Sequence, residues 1–249
     1  MVGRASTSAA FSSLRVPGYR RLWWASTFSF MAVQMQFLLR GVLAWDLTER
    51  EGALGLVYLA FGVSMLIATP LGGVATDRFS RRFILICSQA AIMTAATLMG
   101  VLVMLDAAQF WMLLVAAVVQ GGSFGFFGPA RVALSAEYVG RDQLGNAITL
   151  SLLSMNGTRI FAPSLAGVLA GVATIGIGGA YLIAAFTSAL SFIYLVRLPR
   201  PATDARPVPS GRNPFQDIAE GVRYVYQRRP LRRLVFSSFF VIMFGFNYV

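Results

Sequence analysis

The chain has 249 residues, of which 57% are hydrophobic and 12% charged, with a formal net charge of +11 and no histidine. A soluble domain of this size cannot bury so much apolar surface, so the composition predicts an all-α polytopic membrane protein. The lack of histidine excludes histidine metal sites and any Ser-His-Asp triad, and no metal or cofactor is expected. Nucleic acid is not an expected partner, because the arginines lie at the ends of apolar runs, where anionic lipid attracts them.

Six apolar runs have about the length that crosses a hydrocarbon core as a helix, roughly 20 residues. In chain order they are 22–45, 54–76, 83–105, 110–134, 146–172 and 180–196. Residues 1–21 predict a surface segment, and a polar loop is expected at 135–145. Residues 197–233 predict an interdomain loop with an amphipathic helix at 215–226, and 234–249 open a seventh span.

The arginines indicate the orientation of this bundle. They are concentrated before the first run, between the second and third, after the fourth and after the sixth, whereas the loops on the opposite side hold only Arg50. The positive-inside rule therefore predicts a multi-pass protein of the cell (plasma or inner) membrane, with the N-terminus, the first segment and the long loop in the cytoplasm.

The charged stretch 73–82 is a tight hairpin between the second and third runs. Membrane topology alone would account for its arginines, since a turn between two apolar helices has to be polar. The alternative is a gate, in which Asp77 pairs with Arg81 or Arg131 in one conformational state and separates in another. Gly73 would allow a neighbouring helix to approach closely. The predicted gate residues are Gly73, Asp77, Arg78, Arg81, Arg82 and Arg131.

Polar residues inside the runs are candidates for a solute cavity, because a charge or amide in a membrane is costly. Arg159 shares a helical face with Asn156, and it either ties helices together or handles a polar or anionic solute group. Arg40 either snorkels toward the outer interface or lines the cavity. Gln34 and Gln36 are also cavity candidates.

Small residues in the fourth and fifth runs predict close helix packing. They are Gly121, Gly125, Gly167 and Gly171, with Pro163 interrupting the fifth run. Residues 121–125 also contain the Gly-x-Ser-x-Gly pattern of a nucleophile elbow, but the strand–turn–helix context and the histidine are missing, so no enzyme is predicted.

The hairpin resembles the motif G-x-L-a-D-r-x-G-r-k between helices 2 and 3 of the major facilitator superfamily, through Gly73, Asp77, Arg78, Arg81 and Arg82. Residues 126–131 (FFGPAR) and 156–163 (NGTRIFAP) resemble its enterobactin- and macrolide-exporter-like branch. The resemblance implies two six-helix halves that rock around a central cavity, of which this chain is the N-terminal half and the start of a seventh helix.

The function implied by the resemblance is secondary active transport by alternating access, with efflux of an amphipathic, drug- or siderophore-like organic solute. The implied partners are that solute, membrane lipid, the missing C-terminal half and, as a candidate coupling ion, a proton. No acidic residue lies inside the six runs, so a proton relay would have to use Asp46, Asp77, Glu137 or the missing half. The alternative is a truncated membrane remnant that does not transport.

Overall fold

The structure is a computed structural model that describes residues 11–200, together with Arg232, Arg233 and Ser237. The chain divides into two compact units, Met1–Val208 and Pro209–Val249, and all the helices discussed below belong to the first unit. The predicted amphipathic helix at 215–226 lies outside the described residues, as do residues 1–10 and nearly all of the predicted seventh span.

Five helices follow a 3₁₀ turn at Ser12–Arg15: α1 (Pro17–Thr48), α2 (Glu51–Arg78), α3 (Arg81–Met104), α4 (Phe110–Gly171) and α5 (Gly176–Val196). All five are long and apolar enough to cross a membrane. The described part of the chain is therefore an all-α membrane bundle, as the composition predicts. α1 begins earlier than its apolar run because Pro17 occupies the first helical position, where its fixed φ and missing N–H fit.

The polar loop predicted at 135–145 is helical instead. Within the 62 residues of α4, Gly140 has non-helical angles, with φ 70° and ψ 177°. Only glycine adopts that region readily. The charged residues on either side of Gly140 therefore lie at the ends of two helical stretches rather than in a loop. We call residues 110–139 the first arm of α4 and residues 141–171 its second arm.

The first arm of α4 runs antiparallel to α1. Gln120 Nε2 donates a hydrogen bond to Gln36 Oε1 at 2.7 Å, and the ring of Phe124 lies 6.2 Å from that of Phe30. Higher residue numbers on the first arm therefore contact lower residue numbers on α1, as expected for antiparallel helices.

The second arm runs parallel to α1. Three α1 side chains, about a turn apart, meet it in increasing order: Tyr19 Oη donates to Ala147 O at 2.7 Å, Trp23 Nε1 donates to Leu150 O at 3.0 Å, and Thr27 Oγ1 lies 2.6 Å from Ser154 Oγ. The two arms thus run in opposite directions, and the chain reverses at Gly140. They take the places of the predicted fourth and fifth runs and are separated by the non-helical backbone of Gly140, and six membrane crossings stay a prediction.

Buried polar bonds hold α1 to α3 and α5 on its other side. Ser29 Oγ donates to Gln89 Oε1 at 2.8 Å, and Gln89 Nε2 donates to the carbonyl of Ser188 at 3.1 Å. Ser191 Oγ donates to the carbonyl of Ala25 at 2.7 Å. Since backbone and side-chain polar groups need internal partners in a membrane, these bonds fix α1 at the centre of the bundle.

Helix α2 approaches the first arm of α4 through glycines on both helices. A Cβ on Gly121 would collide with the backbone of Phe61, one on Gly125 would lie 2.7 Å from the Cβ of Ala68, and one on Gly72 would lie 2.8 Å from the Gly125 carbonyl. The close approach that the sequence assigned to Gly73 therefore belongs to Gly72, because nothing lies within 4 Å of a Cβ on Gly73.

The second arm of α4 is packed more loosely around its small residues. A Cβ on Gly167 would make an ordinary 3.7 Å contact with Leu38, and nothing lies within 4 Å of one on Gly171. Pro163 lies inside the helix. Close packing at glycine is thus a feature of the first arm, and the predicted packing role of Gly171 has no contact to support it.

Candidate functional site

An ion pair links α3 to the first arm of α4 at the arginine-rich end of the bundle, which we define as the end that holds residues 78–82 and 131–137. The guanidinium of Arg81 bonds to the carboxylate of Glu137, and its NH1 also points to the carbonyl of Ala133 at 3.5 Å. Both side chains are partly exposed, with 28% of Arg81 and 14% of Glu137 accessible. The pair therefore lies at a surface rather than in the core.

Asp77 does not make the pair that the sequence predicts for it. Its side chain is exposed at the end of α2 and forms no ion pair with Arg81 or Arg131 among the described residues. Arg81 is held instead by Glu137, and Arg131 lies over the ring of Phe30, with its guanidinium carbon 5.2 Å from the ring centroid. A cation over an aromatic face is partly stabilised by the ring electrons.

Two further arginines hold the end of α5. Arg82 donates to the carbonyl of Val196, and Arg21 NH1 donates to that of Arg197 at 3.1 Å. The last carbonyls of a helix lack intrahelical donors and carry partial negative charge, so arginine is a suitable cap. These contacts explain part of the arginine cluster without a gate. Arg78 lies in the last turn of α2.

The predicted cavity residues fall into two separate groups. Gln36 and Arg40 are enclosed by the bundle, at 3% and 2% exposure. Asn156 and Arg159 are exposed on the second arm of α4, and Gln34 is half-buried. The predicted snorkelling of Arg40 toward Asp46 is not observed, because the guanidinium is packed inside, 4.9 Å from the ring centroid of Phe61. The five residues therefore do not line one cavity in this structure.

A groove between α1 and the second arm of α4 adjoins the exposed pair. Its volume is about 390 Å³, and its walls include Trp23, Thr27, Met31, Gly157, Thr158 and Phe161. Aromatic and aliphatic surface with a few hydroxyls is the usual lining of a site for small organic molecules. Gln34 shares the helical face of Thr27 and Met31, which places it beyond the groove on the same side of α1.

A larger groove of about 590 Å³ lies between α3 and the first arm of α4. Alanine, leucine, valine and methionine side chains line it, with Trp111, and Thr94 is its one polar side chain. Such a surface has nothing to orient a solute, and it suits lipid chains.

Sequence reasoning missed three residues that the structure makes prominent. Glu137 was considered only as a proton group, and its pairing with Arg81 depends on the reversal at Gly140. Gln120 bonds to Gln36, and the same argument that selected Gln36, an amide inside an apolar run, would have found it. Gly72 was overlooked because its neighbour Gly73 matches the family motif.

The fold and these sites define a helical membrane protein with charged helix ends on one side and a largely apolar groove that carries a few hydroxyls. The sequence model of the Major Facilitator Superfamily matches residues 22–249. This chain therefore belongs to the major facilitator superfamily, whose members are membrane transporters.

The chain is also similar to individual curated proteins. It is 27% identical over 180 residues to the uncharacterised MFS-type transporter YfiS of Bacillus subtilis (strain 168), which covers 72% of this chain and 41% of that protein. It is 24% identical over 213 residues to the enterobactin exporter EntS of Salmonella paratyphi A and of Salmonella typhimurium, which covers 84% of this chain and 49% of those proteins. The chain thus spans about half the length of these relatives or less.

Proposed function

We propose that the complete protein is a secondary active transporter that exports an amphipathic organic solute by alternating access. Membership of the superfamily supports transport, and similarity to proteins named as exporters supports efflux. The arginine distribution supports a cell-membrane location with the N-terminus in the cytoplasm. The observation that carries the solute proposal is the groove between α1 and the second arm of α4, with Arg159 and Asn156 beside it.

The groove favours a solute with a large apolar part and few polar groups. Thr27 Oγ1 lies 2.6 Å from Ser154 Oγ, and Thr158 Oγ1 donates to the Ser154 backbone carbonyl at 2.9 Å, so these hydroxyls already have partners within the protein. The positive charge of Arg159, on the same arm, would suit a weakly anionic group of the solute. We therefore expect neutral or weakly anionic amphipathic molecules to be the substrates.

At the arginine-rich end, the gate proposal now involves two carboxylates. The structure contains the Arg81–Glu137 pair, while Asp77 is exposed and unpaired among the described residues. We propose that this is one of two states, and that Asp77 takes part in the pairing in the other. Proton coupling through this half would use Asp46, Asp77 or Glu137. The intact ion pair does not favour the alternative of a non-transporting remnant.

The groove is tested by filling it. Gly157 lines the groove, and nothing lies within 4 Å of a Cβ there, so Gly157→Trp would place an indole in the space without displacing backbone. We expect efflux of amphipathic dyes from cells that express the complete protein to be lost, at unchanged protein level.

Gly171→Trp is the matched control, since Gly171 has equal free space, lies on the same arm and does not line the groove. It should leave efflux intact. Wild-type efflux in the Gly157→Trp variant would show that the groove is not on the solute pathway.

A further inference from the structure

Several buried polar groups of the described residues have no hydrogen-bond partner. Inside the bundle they include both terminal nitrogens of Arg40, Nε2 of Gln36 and the hydroxyl of Tyr181, and also Oε1 of Gln120 and the hydroxyl of Ser188. Gln36 and Arg40 are one turn apart on α1, so they share a helical face. Tyr181 on α5 is 1% exposed and packs in the same buried cluster as Leu39 and Leu43, which flank Arg40 on α1. The unpartnered groups of Arg40, Gln36 and Tyr181 can all donate a hydrogen bond, whereas Oε1 of Gln120 can only accept one.

The charge of Arg40 is not balanced by a carboxylate. Among the described residues, Arg40 forms no ion pair, and Asp46, the acidic residue further along α1, is exposed. The face of Phe61 lies 4.9 Å from the guanidinium carbon and offers partial compensation. The hydroxyl of Tyr58 already donates to the carbonyl of Phe37 at 3.2 Å. A buried charge needs a partner that compensates the charge and also accepts its hydrogen bonds. An aromatic ring compensates part of the charge but leaves the N–H groups of the guanidinium without acceptors.

We propose that Arg40, Gln36 and Tyr181 bind one small monovalent anion of halide size between α1 and α5. Together, the three side chains supply one positive charge and several hydrogen-bond donors. A halide ion matches them because it carries one negative charge and can accept hydrogen bonds from every direction. The anion must be small because each of the three residues is at most 3% exposed, and none of them lines the grooves described above. The site is therefore distinct from the proposed solute groove, and it does not depend on the identity of the solute.

The binding test uses the purified complete protein in detergent, with thermal unfolding measured in sodium chloride, sodium bromide or sodium gluconate at equal ionic strength. A ligand that binds only the folded state raises the midpoint in a saturable way, as the logarithm of 1 + [ligand]/Kd. We expect saturable stabilisation by chloride and bromide but not by gluconate, which is too large. Sodium formate forms a further arm, which tests a carboxylate of similar size.

Variants connect the effect to the site. Arg40→Gln should abolish the halide dependence, and Tyr181→Phe should raise the apparent Kd by about tenfold, as expected for one hydrogen bond to a charged group. Arg50→Gln removes the same charge from an exposed position near the same end of α1 and should keep the full response. If Arg40→Gln does not fold, the binding of radioactive chloride to the wild type and to Tyr181→Phe replaces this comparison. The wild type should bind one chloride per chain, and Tyr181→Phe should bind it more weakly.

Equal midpoints of the wild type in chloride and gluconate, or no saturable chloride binding, would overturn the proposal. It would also be overturned if Arg50→Gln reduced the halide response as much as Arg40→Gln. Stabilisation by formate without stabilisation by halides would reassign the site to a carboxylate and refute the halide assignment.

Discussion

The reversal of α4 at Gly140 makes a sharp prediction about backbone strain. Gly140 and Gly145 lie in the same helix, and nothing lies within 4 Å of a Cβ placed on either residue. Alanine therefore adds the same methyl group to open space at both positions. The difference between them is the backbone, because Gly140 has φ 70° and ψ 177° whereas Gly145 is helical.

The expected magnitudes follow from that difference. A side chain in the conformation of Gly140 costs about 1–3 kcal/mol of strain. At Gly145, alanine should stabilise the helix by roughly 0.5–1 kcal/mol, because glycine loses more conformational freedom on folding. The two variants should therefore change the free energy of unfolding in opposite directions.

Asparagine gives a further distinction at Gly140. Asparagine tolerates the left-handed helical region, but that region has ψ near 45°, far from the value at Gly140. Gly140→Asn should therefore destabilise the protein as much as Gly140→Ala does. A left-handed helix cap, by contrast, would accept asparagine with little loss.

Unfolding of the complete protein in mixed micelles, titrated with sodium dodecyl sulfate and followed by far-UV circular dichroism, measures these differences. Gly140→Ala should shift the midpoint to lower detergent and Gly145→Ala to equal or higher detergent. Equal shifts of both variants in the same direction would refute the assignment of the reversal to the backbone of Gly140.

Three other tests by substitution concern the packing and the charges. Arg81→Glu and Glu137→Arg should each reduce efflux by the complete protein, and the double variant should recover part of it; no recovery would mean that the pair has no functional coupling. Gly121→Leu should lower the free energy of unfolding by about 1–3 kcal/mol or more, because the side chain overpacks against α2. Gly128→Leu is the control, since nothing lies within 4 Å of a Cβ at Gly128. It should change the free energy of unfolding little in the same detergent titration. Gln89→Leu breaks both of its buried bonds and should cost about 1–3 kcal/mol by unfolding, and a neutral result would contradict the role of Gln89 in holding α1.

The helices were predictable from the sequence because the length and composition of the apolar runs depend on the membrane alone. The exact ends of the helices were less predictable. α1 extends outward to Pro17, since a helix can continue beyond the hydrocarbon region when its flanking residues find partners, as Tyr19 does at the Ala147 carbonyl. The loop at 135–145 was predicted from its charges, yet a single glycine suffices for the reversal.

The site was less predictable than the fold because pairing depends on three-dimensional neighbours. The family motif pointed to Asp77 and Gly73. In the structure, Glu137 makes the ion pair and Gly72 allows the close helix approach. The cost of intramembrane polar groups correctly marked Gln36 and Arg40 as unusual. It could not tell that they face the interior of the bundle while Arg159 is exposed, because a single helical pattern does not reveal which neighbours cover each face.

The bonds between α1 and the second arm of α4 have a consequence for synthesis. Trp23 and its acceptor Leu150 are 127 positions apart in the chain. At roughly 5–20 residues per second, α1 leaves the ribosome about 6–25 s before that partner exists. During this interval its indole and phenol donors must find water, lipid headgroups or the insertion machinery. A helix made well before its partner is thus among the last to complete its bonds, and we expect the docking of α1, rather than its insertion, to limit maturation.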